Sequence, residues 1–152
     1  MSKPYTAPLL PAGKHFLTME ELEELAVSPF KTSSTRGGLF HDLTTLVSQL
    51  SYFGVKCQLW IDGSFLTAKH DPADIDLTIV IARPDFELMP AAMKNQVIMM
   101  CAKQHPLSSS LDCYISDRND QSRLEYWDDM WGTCRSNLPK GYMVLELPEQ
   151  DD

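Results

Sequence analysis

Trp60-Ile61-Asp62-Gly63-Ser64, followed ten residues after Ser64 by Asp74-Ile75-Asp76-Leu77-Thr78-Ile79-Val80, is the stretch on which the fold turns. Residues 55–61 and 75–81 are rich in Val, Ile, Leu and Thr and predict two strands, the second of them buried, with a glycine turn between. Alternate side chains of a strand share a face, so Asp74 and Asp76 point together while Ile75 and Leu77 point the other way. Two neighbouring carboxylates raise each other's proton affinity, and a hard divalent cation is the usual compensation. Gly63 permits the close backbone approach that a phosphate needs, and Ser64 adds a hydroxyl donor.

The elements around this segment supply a sheet and its cover. Ser110-Leu111-Asp112-Cys113-Tyr114 lies in a third apolar strand and brings a third carboxylate, Asp112. With Asp74, Asp76 and Asp112 together, a centre of two Mg²⁺ ions about 4 Å apart could activate an acceptor hydroxyl and stabilise a leaving pyrophosphate. Asp112 is then the candidate general base or its metal-bound equivalent. A capping box, Thr18 with Glu21, opens a short helix to about residue 27. Leu39, Leu43, Leu46, Val47, Leu50 and Phe53 recur at helical spacing before Gly54, and residues 90–103 carry Met93, Val97, Met100 and Cys101 on one helical face. A further helix is predicted over residues 120–131, then the turn Pro139-Lys140-Gly141 and a last strand over 142–147.

The expected fold class is therefore α+β, a mixed β-sheet flanked by helices. At 152 residues one core is expected. Residues 1–17, with Pro4, Pro8, Pro11 and Gly13, read as an irregular arm, 18–147 as a single domain, and 148–152 as an acidic tail.

The composition is that of a globular protein, 43% hydrophobic and 22% charged, and the net charge of −8 disfavours nonspecific attraction to nucleic acid or an anionic membrane. Cys57, Cys101, Cys113 and Cys134 are scattered without a C-x-x-C pair, and the N-terminus has no secretory apolar region, which points to a reducing cytoplasm. The longest apolar runs are far shorter than the roughly 20 residues a membrane helix needs. His15, His41, His70 and His105 lack zinc-ligand spacing. Trp127 and Trp131, one helical turn apart, are read as core.

The order Gly-Ser, loop, Asp-hydrophobic-Asp-hydrophobic and later strand Asp resembles the signature of the DNA polymerase β-like nucleotidyltransferase superfamily. Residues 60–77, with Trp127, Arg135 and Pro139-Lys140-Gly141, are more closely similar to a family of small stand-alone bacterial and phage proteins of that fold. The resemblance covers most of the chain and implies a nucleotidyltransferase fold. It also implies Mg²⁺-dependent transfer of a nucleoside monophosphate from an NTP to a hydroxyl on a small molecule, protein or RNA, with release of pyrophosphate. Many minimal members carry Ala-Arg-Gly after Gly-Ser, whereas this chain has Phe65-Leu66-Thr67-Ala68-Lys69. Lys69, Arg135, Lys140 and Arg36 are the candidates to supply the missing positive charge at the phosphates. Arg36 stands out because a cation is mildly disfavoured at a helix start. The alternative is a catalytically silent nucleotide-binding or protein-interaction module of the same fold, such as a regulator, toxin–antitoxin partner or phage accessory factor.

Overall fold

A computed structural model describes residues 7–120 and 141–149. The described chain is α+β. Five strands, β1 (Gly13–Phe16), β2 (Cys57–Asp62), β3 (Ile75–Ile81), β4 (Leu111–Asp117) and β5 (Gly141–Leu147), form one mixed sheet in the order β1-β5-β2-β3-β4. β2 runs antiparallel to both β3 and β5, whereas β3 with β4 and β1 with β5 are parallel pairs. The helices are α1 (Met19–Ala26), α2 (Arg36–Tyr52), the single turn α3 (Arg83–Glu87) and α4 (Ala91–Cys101). No helix among the described residues is long and apolar enough to cross a membrane.

The period of two in the strands separates two chemistries. Leu59 and Ile61, Leu77 and Ile79, Leu111 and Cys113, and Met143 and Leu145 join one buried core with Leu22 of α1, Leu43, Leu46 and Leu50 of α2, and Met93, Val97 and Met100 of α4. Fully burying each such side chain contributes about 1.5–3 kcal/mol, so this helix-covered face is the main source of stability. The intervening residues turn to the other face, where Trp60, Val80, Tyr142 and Val144 form a second buried cluster. The acidic residues lie on that second face.

The sequence places α1, α2, α4 and the strands β2 to β5 within a few residues of their observed bounds, and the capping box of Thr18 and Glu21 is formed. The predicted helix over 120–131 and most of the turn at 139–141 lie outside the described residues. The arm differs from expectation, because Gly13–Phe16 is an edge strand rather than irregular chain. Its four residues have no apolar alternation to announce a strand; they are held by backbone pairing along β5. Gly141 makes this approach possible, since a Cβ there would collide with the Pro11 carbonyl and lie 2.7 Å from Leu10 Cβ. Upstream, the Leu9 amide donates to the Leu66 carbonyl at 2.9 Å, the Ala68 amide donates to the Ala7 carbonyl at 2.8 Å, and Pro8 pairs with Thr67 in an isolated antiparallel bridge. The arm thus straps the loop that follows Gly63-Ser64.

Arg36 holds the same loop from beneath. Its side chain is fully buried at the start of α2. Nη1 donates to the carbonyls of Ala26 at 2.9 Å and Phe65 at 2.6 Å, and Nη2 to those of Thr67 at 2.6 Å and Lys69 at 2.5 Å. The guanidinium carbon lies 3.7 Å from the Phe30 ring centroid. Burial lowers its pKa to about 10, against the opposing pull of Asp71, so it remains charged at neutral pH. The planar fork satisfies three carbonyls of the loop and the one at the end of α1.

Removing that fork leaves these acceptors unpaired. Arg36→Ala is expected to lower the unfolding free energy by about 3 kcal/mol, and Arg36→Lys to recover only part of it, because an ammonium has three donors and no fork. Equilibrium urea unfolding measures this as a lower midpoint at unchanged slope.

Candidate metal centre

Strand register assembles the carboxylates. The antiparallel pairing of β2 and β3 sets Asp62 opposite Asp76, and the parallel pairing of β3 and β4 sets Asp76 opposite Asp112. Three acids therefore stand in one row across three strands. Asp74, two residues before Asp76, enters from the chain leading into β3 and shares its face. Carboxylate oxygens of Asp74, Asp76 and Asp112 all lie within 4.8 Å of one another, and the three residues are half-buried.

Asp62, which the sequence does not single out, is only 2% exposed and is the fourth acid of the group. Its position was encoded by its alternation with Trp60, but the partner across the sheet depends on a register that sequence alone does not reveal.

Gly63 is needed where the first strand ends. Its φ is +87°, a conformation that glycine adopts freely and other residues rarely do. A Cβ at this position would collide with Asp76 Oδ2 and lie 2.9 Å from Asp76 Cγ. The space that the glycine leaves is thus filled by a carboxylate of the chain itself. Ser64 follows in a single 3-10 turn, Ser64–Leu66, closed by the Leu66 amide on the Gly63 carbonyl at 3.1 Å.

The electrostatics favour a cation. The Asp76 carboxyl is pushed up to about 7, first by burial, then by the charges of Asp74, Asp112 and Asp62. Oxygens bound to one Mg²⁺ lie about 3.0 Å apart when adjacent and about 4.2 Å apart when opposite, given Mg–O distances of about 2.1 Å. The observed limit of 4.8 Å between the carboxylate oxygens is close to this range. The oxygen-only donor set suits Mg²⁺ or Mn²⁺ over zinc.

The predicted phosphate ligands divide. Lys69 is exposed in the loop after the 3-10 turn. Arg36 is corrected: all four of its Nη contacts are to backbone carbonyls and it is buried, so it shapes the loop and is not a phosphate ligand. Arg135 and Lys140 lie outside the described residues. A cation the sequence did not flag, Lys103 beyond the end of α4, contacts Asp112 Oδ1, and the Tyr114 hydroxyl stands 3.5 Å from Asp112 Oδ2. The spacing between Lys103 and Asp112 carries no motif, and only the packing of α4 beside β4 brings them together.

Compared with known proteins, residues 4–146 match the family described as "Family of unknown function (DUF6932)", and the chain belongs to that family. No curated protein and no solved structure matches it.

The raised pKa of Asp76 has a consequence for stability. In the unfolded chain this carboxyl titrates near 3.8, and in the folded chain at about 7, so between these values the folded state holds the extra proton. Without divalent cations, this group's contribution makes stability fall as pH rises from about 4 to about 7, and the whole penalty persists above 7. Asp76→Asn is expected to remove that slope and to stabilise the cation-free chain at pH 8, on the order of 2 kcal/mol after allowing for partial solvent screening. Calorimetric Tm across pH, in chelator, measures both effects. Gly63→Ala, by contrast, should lower Tm at every pH and abolish any rise on adding Mg²⁺.

Proposed function

We propose that this member of the family is a Mg²⁺-dependent nucleotidyltransferase, with a nucleotidyltransferase fold built on the observed mixed sheet. The single observation that carries the proposal is the meeting of Asp74, Asp76 and Asp112 within 4.8 Å, beside the Gly63-Ser64 turn. The resemblance in sequence order and the convergence in space are separate lines of support. Asp74 and Asp76 would hold the cation, with Asp112 completing the acidic wall. When bound, the cation neutralises phosphate charge that the four acids would otherwise repel.

In the reaction proposed, an acceptor oxygen forms a bond to the α-phosphorus of an NTP as the bond to the bridging oxygen breaks. The pyrophosphate leaves with that electron pair, and the acceptor proton passes to Asp112 or solvent. Such transfer depends mainly on positioning and charge stabilisation. The strapped and Arg36-anchored loop supplies rigidity at the Gly63-Ser64 turn, whose backbone would face the phosphates. Lys69, exposed at the end of this loop, is the described candidate to meet them, with Arg135 and Lys140 as further candidates from the sequence.

Incubation with each of the four α-labelled NTPs, Mg²⁺ and fractionated small molecules, proteins and RNA tests the proposal. The expected outcome is transfer of label to one acceptor class, reduced at least about 100-fold in Asp76→Asn. Equal labelling by wild type and variant would overturn it.

A further inference from the structure

The end of α4 contains a lysine in a glycine's place. The Gln104 amide donates to the Met99 carbonyl at 2.8 Å and the Lys103 amide to the Met100 carbonyl at 3.1 Å. These two bonds define a Schellman motif, whose penultimate position takes a left-handed backbone and is usually glycine. Lys103 occupies it at φ 61°, the one non-glycine residue with positive φ among the described residues. A side chain there costs about 1 kcal/mol, and the backbone gives no reason to prefer lysine.

The reason lies in where the side chain goes. Lys103 Nζ contacts Asp112 Oδ1, donates to the Cys113 carbonyl at 3.3 Å, and lies 4.4 Å from the Tyr114 ring centroid. Three independent contacts seat one ammonium beside the acid row. Asp112 therefore already carries a cation belonging to the chain. An ammonium is a compact point charge, and a divalent ion on the same carboxylate would be repelled by it or would have to displace it.

We propose that the centre takes one divalent cation, on Asp74 and Asp76, and that the Lys103 ammonium, seated on Asp112, fills the place of a second. This rests on the metal-dependent reading given above. It replaces the two-ion centre expected from sequence with one ion and one built-in charge. Lys103 is thus a positioning residue that acts through Asp112.

Titration with Mn²⁺ alone, followed by electron paramagnetic resonance, tests this on the full chain. Wild type and Lys103→Arg should bind one ion. Lys103→Gln and Lys103→Gly, the latter suited to the positive φ, should gain a second site at least about tenfold tighter than any second site of wild type, since one nearby charge is removed. Adding Asp112→Asn to Lys103→Gln should abolish that gain. A lysine that merely stapled α4 to β4 would not change the stoichiometry. Two ions on wild type, or one ion on wild type and both Lys103 variants alike, would overturn the inference while leaving the metal centre in place. No bound Mn²⁺ in any variant, with Asp74→Asn indistinguishable from wild type, would overturn both.

Discussion

Asp76 is flanked on both sides by acids in strand register, Asp62 on β2 and Asp112 on β4, with Asp74 two residues upstream. Placing a carboxyl there opposes folding, as its elevated proton affinity records. The rest of the structure can be understood through that constraint. The unfavourable row persists because the opposite face of the same three strands is a continuous apolar surface under α1, α2 and α4. A slip of one residue in register would relieve the acids but turn that apolar set to the wrong face, so hydrophobic burial locks the carboxylates together.

The loop at the end of β2 needs a different kind of support. It leaves the sheet at Gly63, passes close to Asp76, sinks Phe65 and Leu66 into the core, and returns as β3, so its side chains are anchored while its buried carbonyls still need partners. Arg36 from α2 and the strap from residues 7–10 satisfy its backbone instead. Burying a guanidinium for this purpose is costly, and the four Nη bonds offset much of that cost although Nε is left without a partner. The phosphate and metal roles proposed for this site would call for such rigidity.

Much of this was legible in the sequence, and the exceptions have physical causes. Helices α2 and α4 and strands β2 to β5 were visible because their apolar periods are strong, and the alternation in Asp74-Ile75-Asp76 located the shared face. The edge strand Gly13–Phe16 was not visible, because it is made by backbone pairing and by the missing side chain of Gly141. The sequence shows Arg36 as an ill-placed cation at a helix start, but its burial and carbonyl partners, which make it a support for the loop and not a phosphate ligand, are tertiary facts. The places of Asp62 and Lys103 are tertiary in the same way: one joins the site through cross-strand register, the other through the packing of a helix end against β4. What the acidic row is for was not legible from composition, whose net negative charge fits many proteins.

The most direct measurement is the anomalous scattering of Mn²⁺ in crystals of the chain grown near pH 8, where Asp76 is ionised. A strong peak within about 2.3 Å of carboxylate oxygens from both Asp74 and Asp76 is predicted. Density at full Mn²⁺ occupancy elsewhere, with no peak between those two carboxylates, would contradict the account.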